Sequence, residues 1–283
     1  MDYYIENSMR INLKESLINK LMIFILVSWI ILAVVFGFID LEISKAVVDE
    51  NSVWGNFGEE FGEAPGYGLI AIALSAFIGS LNKDVKKQKI PAYIIIIFGI
   101  FILLFGIIFN SQSLIVDGAV VAISLITFVI FTFNKDWNNY RNISLVITIL
   151  TILNPLLFVQ LTKILTGRVR FIKLAIDFSN YTPWFLPPGP SGNNSFPSGH
   201  TSMSFMFLPL LILVKDRKWK DIIRIIVSFL VIGWAIFVGV SRIVVGAHYA
   251  SDVLFSAGMA AIITIISYKM IYLRERNANK EEK

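Results

Sequence analysis

Long apolar runs separated by short polar segments divide this 283-residue sequence. Most of the runs reach the roughly 17 to 25 residues with which an α-helix crosses a hydrocarbon core about 30 Å thick. Because backbone groups in lipid must be hydrogen-bonded within their own segment, such runs predict membrane-spanning helices. The runs comprise residues 21–39, 65–81, 90–109, 114–133, 143–161, 201–214, 222–240 and 250–273. We predict an all-α, polytopic transmembrane bundle of about eight helices, with six or seven as alternatives because run 201–214 is short and contains Pro209.

The basic residues lie in clusters between the apolar runs and not along one amphipathic face. Lysine and arginine collect on the cytoplasmic side of membrane proteins. The sequence follows that rule if both termini are cytoplasmic and the runs alternate in direction. The net charge of +5 is then a signal of topology, and we expect no nucleic-acid partner. Six basic residues fall on the predicted outer side: Lys45, Lys163, Arg168, Arg170, Lys173 and Arg242.

The chain is predicted to have three regions. Residues 1–142 hold N-terminal spans, residues 143–273 form a core that carries the polar motifs described below, and residues 274–283 are a charged cytoplasmic tail. The outer segment 40–63 contains seven acidic residues against one lysine, with aromatic residues interleaved. We interpret this segment as an amphipathic stretch at the membrane surface, and a ligand site is the less favoured alternative.

Both histidines lie in short polar motifs at the ends of apolar runs. His200 belongs to Pro197-Ser198-Gly199-His200, and His248 belongs to Ser241-Arg242-x5-His248-x3-Asp252. Upstream, Lys163-x6-Arg170 adds two cations beside a third run. On the predicted topology all of these motifs reach the outer face, where a packed bundle would bring them together. Because ionisable groups beside hydrocarbon are costly unless they are paired or used, the sequence predicts a functional site there.

The charges of this set predict an anionic ligand, and a phosphate group fits best. Lys163, Arg170 and Arg242 supply three cations against Asp252 alone. Arginine holds phosphate oxygens through its planar fork of donors. Ser198-Gly199 opens a predicted helix, whose free N–H groups and dipole favour an oxyanion.

The two histidines are predicted to have different roles. His248 and Asp252 are spaced i, i+4, so a helix would present both on one face. Asp252 would then bond one ring nitrogen and leave the other free, which makes His248 a candidate nucleophile. His200 lacks a carboxylate at that spacing and is a candidate general acid. For either histidine alone, a buried polar contact between helices is the better interpretation, whereas the complete set favours a site.

We predict no metal and no cofactor at this site. Three cations would repel a divalent ion, and no further carboxylate cluster lies beside these helix ends. The sequence contains no cysteine, which excludes disulfides, thiolate catalysis and Cys-ligated metals.

These motifs resemble the three-part signature of the type 2 phosphatidic acid phosphatase superfamily, which also includes glucose-6-phosphatase and the vanadium haloperoxidases. Its pattern of Lys-x6-Arg-Pro, Pro-Ser-Gly-His and Ser-Arg-x5-His-x3-Asp keeps its order and spacing here between Lys163 and Asp252. The resemblance implies a metal-independent phosphatase that works through a phosphohistidine. It implies His248 as the nucleophile, Asp252 as its orienting partner and His200 as the acid. The phosphate would be held by Lys163, Arg170, Ser198, Gly199 and Arg242.

Two features depart from the family pattern. Phe171 replaces the proline that follows Arg170, and Arg168 is an alternative cation if the loop folds differently. Membrane members of the family usually have six spans, so we expect the extra pair among the first four runs.

The resemblance implies an integral-membrane phosphatase that acts on a lipid phosphomonoester or diphosphate at the extracytoplasmic face. The substrates considered are phosphatidic acid, phosphatidylglycerophosphate and a polyprenyl diphosphate, which remain anchored in the lipid bilayer. A lipid-to-lipid phosphotransferase is the alternative, and a transporter of an anionic lipid or headgroup is a more remote one. The sequence does not indicate the oligomeric state.

Overall fold

The computed structural model describes residues 2–273, with side chains from Glu15 onward. The predicted charged tail, residues 274–283, lies outside the described residues. Within the described range every regular element is helical. The α-helices are α1 (Asp2–Val47), α2 (Val53–Phe61), α3 (Ala64–Gly79), α4 (Ile90–Ile108), α5 (Gln112–Thr132), α6 (Arg141–Thr151), α7 (Gln160–Thr166), α8 (Gly199–Ser204), α9 (Leu211–Val214), α10 (Ile222–Val244) and α11 (Ala250–Tyr268).

Seven helical stretches in the described part of the chain are long and apolar enough to cross a membrane. A shorter apolar stretch, Gly199–Val214, corresponds to the sixth predicted run. The prediction of a polytopic helical bundle is therefore confirmed, and the chain is a multi-pass membrane protein. The seven stretches are Glu15–Val47, Val53–Gly79, Lys87–Ile108, Gln112–Thr132, Trp137–Lys173, Ile222–Val244 and Ala250–Leu273.

Two of the helical stretches change their winding at a proline. After α8 the chain forms a 3-10 helix, Phe205–Leu210, that contains Pro209 and leads into α9. After α6 it forms a π-helix, Ile152–Val159, around Pro155. Proline has no N–H to donate and its ring displaces the preceding turn, so regular α-helical hydrogen bonding is interrupted at both places. The short sixth run, 201–214, is therefore not a continuous α-helix.

The hydrophobic core lies where α3, α6, α11 and the 3-10 segment after α8 meet. Val146 and Leu150 of α6, Met206 of the 3-10 segment and Ala260 of α11 are fully buried in it. By contrast, α4 and α5 form a hairpin that packs chiefly within itself and against α3. This hairpin is the pair of spans most peripheral to the motif-bearing helices.

One end of the bundle collects the helix ends that carry the motifs: the end of α7, the start of α8, the end of α10 and the start of α11. The end of α1 and the junction between α2 and α3 lie beside them. Backbone hydrogen bonds hold these pieces together. The Ser198 N–H donates to the Asp252 carbonyl (3.1 Å), and the Asp49 N–H donates to the Val244 carbonyl (2.8 Å).

Candidate active site

The structure brings the predicted site residues together at this end of the bundle. Lys163 Nζ lies beside Gly199. A Cβ atom built onto Gly199 would be 3.3 Å from that nitrogen. His200 keeps 23% of its side chain exposed, whereas His248 is almost completely buried. Burial varies across the full set: Ser198, Arg242, His248 and Asp252 are buried, and Lys163, Arg170 and His200 are half-buried.

The ring of His248 is held by a backbone carbonyl. Its Nδ1 lies 2.6 Å from the Ser195 carbonyl oxygen and 3.5 Å from Asp252 Oδ2. A carbonyl only accepts, so Nδ1 carries the proton and Nε2 keeps its lone pair. Burial lowers the pKa of His248 to about 4, because the charged imidazolium is poorly solvated there. The side chain is therefore a neutral imidazole with a free Nε2 near pH 7.

Asp252 holds this arrangement through Ser195 more than through a direct bond to the ring. Its Oδ2 accepts hydrogen bonds from Ser195 Oγ (2.6 Å) and from the Tyr249 N–H (3.0 Å). Its Oδ1 accepts from Arg168 Nη1 at 2.6 Å. The predicted i, i+4 pair is present at 3.5 Å, and Ser195 contacts both of its members. Ser195 was not singled out in the sequence, because no spacing rule links it to either residue.

Arg168 is a buried residue that supports the site through its side-chain contacts. Its guanidinium forms ion pairs with Asp252 and with Asp40 of α1, at 2.6 Å and 3.1 Å. It also donates to Ser251 Oγ at 2.8 Å and to the Thr182 carbonyl at 2.9 Å. Because these hydrogen bonds use the guanidinium donors of Arg168, it does not replace Arg170 in a phosphate-binding role.

Arg170 occupies the place that the motif predicts, despite the missing proline. It acts electrostatically on Lys163, Arg242 and Glu59, so these charges are neighbours. Its backbone is extended, with φ −71° and ψ 150°. A following proline would favour that same conformation. Phe171 stacks instead on Phe178, with ring centroids 6.0 Å apart. The backbone at Arg170 is thus extended without the proline.

Several guanidinium donors at this place have no partner within the described residues. Arg242 is buried, and its Nε and Nη1 make no hydrogen bond, as is also true of Arg170 Nε. Buried donors without acceptors are costly. Phosphate oxygens fit such a set, because each accepts from several N–H groups at once.

Ser198 contributes differently from the sequence prediction. Its hydroxyl caps α8 by accepting from the Thr201 N–H at 3.3 Å, and its own N–H is already used by the Asp252 carbonyl. Its carbonyl accepts from Ser256 Oγ at 2.8 Å. Ser198 therefore fixes the start of α8, and the predicted free amide at Ser198 is wrong.

The acidic segment 40–63 reaches into the site, so its interpretation as a surface stretch is wrong for Asp40, Glu59 and Glu63. α2 packs on α10, and a Cβ added to Gly55 would meet Val245 Cγ1 at 2.9 Å. Glu59 Oε1 accepts from Arg242 Nη2 at 3.1 Å. Glu63 Oε1 lies 2.8 Å from His200 Nδ1. The excess of carboxylates opposite an excess of cations at the same membrane face was the signal that could have found them.

Two comparisons with known proteins found similar sequences. The model of the PAP2 superfamily matches residues 143–276, a region that includes Lys163, Arg170, His200, Arg242 and His248. Phospholipid phosphatase 2 of Rattus norvegicus is 29% identical over 158 residues, which cover 47% of this chain and 55% of the relative. The same enzyme of Bos taurus is 30% identical over 129 residues, covering 40% and 45%. Phospholipid phosphatase 1 of Rattus norvegicus is 31% identical over 98 residues, covering 32% and 35%.

The chain spans about half the length of the curated relatives it matches or less. No solved structure matches it significantly. The family match begins within α6, so Asp40, Glu59 and Glu63 lie outside the matched region and still contact residues inside it.

Proposed function

We propose that the chain is an integral-membrane lipid phosphate phosphatase that hydrolyses a phosphomonoester or diphosphate through a phosphohistidine. The observation that carries this proposal is His248, a buried neutral imidazole with Nδ1 bonded to a carbonyl and Nε2 free. It lies close enough to Arg242 and Lys163 for both to act on it electrostatically. A nucleophile, cations for a phosphate and a second histidine therefore share one site.

The first chemical step forms a nitrogen–phosphorus bond. His248 Nε2 attacks phosphorus, the bond from phosphorus to the leaving oxygen breaks, and His200 gives that oxygen a proton. The phosphorylated ring is cationic. It keeps its Nδ1–H on the Ser195 carbonyl, with the Asp252 carboxylate 3.5 Å away. Guanidinium donors of Arg170 and Arg242 stabilise the charge on the transferring group.

The second step is hydrolysis. A water molecule attacks phosphorus, the nitrogen–phosphorus bond breaks, and His200 takes up the proton of the water. Inorganic phosphate leaves and both histidines return to their starting states. This chemistry uses no metal. The described residues contain no group of three or more His, Cys, Asp or Glu with metal-binding geometry.

The setting of the site supports a lipid substrate. Helix ends at a membrane face give access to a headgroup whose tails stay in lipid, and the relatives are phospholipid phosphatases by name. Phosphatidic acid, phosphatidylglycerophosphate and a polyprenyl diphosphate all fit. The loop charges favour an extracytoplasmic site and cytoplasmic termini. The division into N-terminal spans 1–142 and a catalytic core 143–273 stays a prediction.

A panel of lipid phosphates tests the activity. Detergent-purified protein with EDTA is expected to release inorganic phosphate from at least one of these lipids, and His248→Ala is expected to abolish release. Lys173→Met, a change of a neighbouring loop cation outside the set, serves as the control and keeps activity. Full activity of His248→Ala, or strict dependence on Mg²⁺, contradicts the mechanism. Label that passes from one lipid to another identifies a phosphotransferase, and uptake without cleavage identifies a transporter.

A further inference from the structure

His200 has a carboxylate partner that its own motif does not supply. Glu63 Oε1 lies 2.8 Å from His200 Nδ1. The other oxygen of Glu63 accepts from Tyr67 Oη at 3.2 Å. Tyr67 is one helical turn further along α3, so both oxygens of the carboxylate are held by donors. The orientation of Glu63 is therefore fixed from two sides.

The backbone around Glu63 is clamped onto the helix that carries His200. Glu63 immediately precedes α3, and Gly66 in the first turn of α3 touches α8 directly. A Cβ at Gly66 would lie 2.7 Å from the carbonyl oxygen of Met203, three residues after His200. Glycine is required for such a close approach between helices. The distance from Glu63 to His200 is thus set by helix packing and not by a flexible loop.

The second ring nitrogen of His200 also faces an acceptor. His200 Nε2 lies 2.9 Å from the Glu59 carbonyl oxygen. Both nitrogens face oxygens that accept, so the ring donates from both when it is an imidazolium. His248 has the opposite setting, with one acceptor and complete burial. The site therefore holds one histidine suited to be a charged acid and one suited to be a neutral nucleophile.

We propose that Glu63 is a positioning residue that holds His200 as the general acid. This inference rests on the proposed function. The carboxylate accepts the Nδ1–H and stabilises the positive charge that the acid carries before it gives up its proton. The Nε2–H, which the Glu59 carbonyl accepts at 2.9 Å, is the proton that passes to the leaving oxygen. In this respect Glu63 does for His200 what Ser195 and Asp252 do for His248. Glu63 thereby supplies a partner for the acid from outside the matched region 143–276.

The test compares two substrates that differ in their need for an acid. Release of a lipid alcohol requires protonation of its oxygen, whereas p-nitrophenolate leaves without a proton. Glu63→Gln keeps the shape of the side chain and removes its charge. We expect kcat with phosphatidic acid to fall about 10- to 100-fold, a part of the 10²–10⁴ that general acid catalysis contributes. KM is expected to stay within about twofold, because the substrate phosphate is bound by other residues. With p-nitrophenyl phosphate, the rate of the p-nitrophenolate burst, which reports the first step alone, is expected to change little.

A charge-removing control comes from the same helix region. Glu60 is an exposed carboxylate in α2, and Glu60→Gln is expected to leave both substrates unaffected. If Glu63→Gln does not fold, Tyr67→Phe removes only the second donor to the carboxylate. That variant is expected to show the same selective loss to a smaller extent.

The outcomes separate this inference from the proposed function. Equal loss on both substrates, or no loss on either, overturns the positioning role of Glu63 while wild-type activity and the inactivity of His248→Ala still support the phosphatase. A wild-type protein that releases phosphate from neither substrate overturns the proposed function and this inference with it.

Discussion

Asp252→Asn separates the support that Asp252 gives to the fold from the support that it gives to His248. The carboxylate forms one of two ion pairs of buried Arg168, at 2.6 Å, and Asp40 forms the other at 3.1 Å. Loss of one partner of a buried ion pair costs about 3–5 kcal/mol. Because Asp40 still pairs with Arg168, we expect the lower end of that range, about 3 kcal/mol in the free energy of unfolding.

The expected loss of activity is smaller than in a serine-protease triad, where the same change lowers kcat about 10⁴-fold through the wrong histidine tautomer. Here the Ser195 carbonyl, 2.6 Å from Nδ1, keeps the tautomer. What is lost is a negative charge 3.5 Å from a ring that becomes cationic. With an effective dielectric constant of about 20 and partial neutralisation by Arg168, that charge contributes about 3 kcal/mol. We therefore expect kcat to fall about 10²-fold.

Phosphate release and thermal unfolding in the same detergent measure the two effects. Asp40→Asn is the matched control: it removes the other carboxylate partner of Arg168, so we expect a similar loss of stability with little change in kcat. The reasoning is refuted if Asp252→Asn is as inactive as His248→Ala while its unfolding temperature is unchanged. That result would mean that a direct bond to Asp252, and not the Ser195 carbonyl, sets the state of His248.

Three further predictions follow from the site and the packing around it. Arg242→Lys keeps the charge but removes the planar guanidinium, whose Nε and Nη1 have no hydrogen-bond partner. We therefore expect kcat/KM to fall at least about tenfold. Unchanged kinetics would argue against phosphate binding at Arg242. The pKa of His248 is about 4 in the folded protein, against a usual value of 6.5, so the unfolded chain binds an extra proton between these pH values. The free energy of unfolding is therefore expected to decline as pH falls from about 6.5 to 4, by up to about 1.4 kcal/mol per pH unit. His248→Gln should lose this pH dependence of stability, and an identical pH dependence in the variant contradicts the burial effect. Gly66→Ala places a methyl group 2.7 Å from the Met203 carbonyl oxygen, so α3 must shift. We expect both phosphate release and the unfolding temperature to fall. If neither changes, α3 is not packed tightly on α8.

Much of the site was readable from the sequence because its members lie in short motifs with fixed spacing. Lys163, Arg170, His200, Arg242 and His248 meet as predicted, since helix ends at one membrane face have few ways to pack. The motif favours Arg170 over Arg168 as the phosphate-binding cation, and Arg168 pairs instead with Asp252.

The partners of these residues were not readable in the same way. Glu59, Glu63 and Asp40 lie more than a hundred residues before the groups that they contact, and no periodicity connects them. Ser195 bonds His248 through its backbone carbonyl, which every residue possesses, so that contact leaves no signal in the sequence. The fold, like the site, was predictable from the sequence only in part. The irregular sixth run followed from Pro209, whereas the packing of α2 on α10 depends on Gly55 and became evident only from the contact itself.

Trapping the covalent intermediate tests the central claim most directly. His200→Ala with a phosphate ester of p-nitrophenol bypasses the acid in the first step and lacks the base in the second, so the phosphorylated enzyme should accumulate. After rapid quenching at alkaline pH, mass spectrometry should find one phosphoryl group on the peptide that contains His248. The same treatment of His248→Asn should leave that peptide unmodified. A phosphoryl group on another residue, or a burst of p-nitrophenol with no covalent phosphate on the protein, would contradict the account.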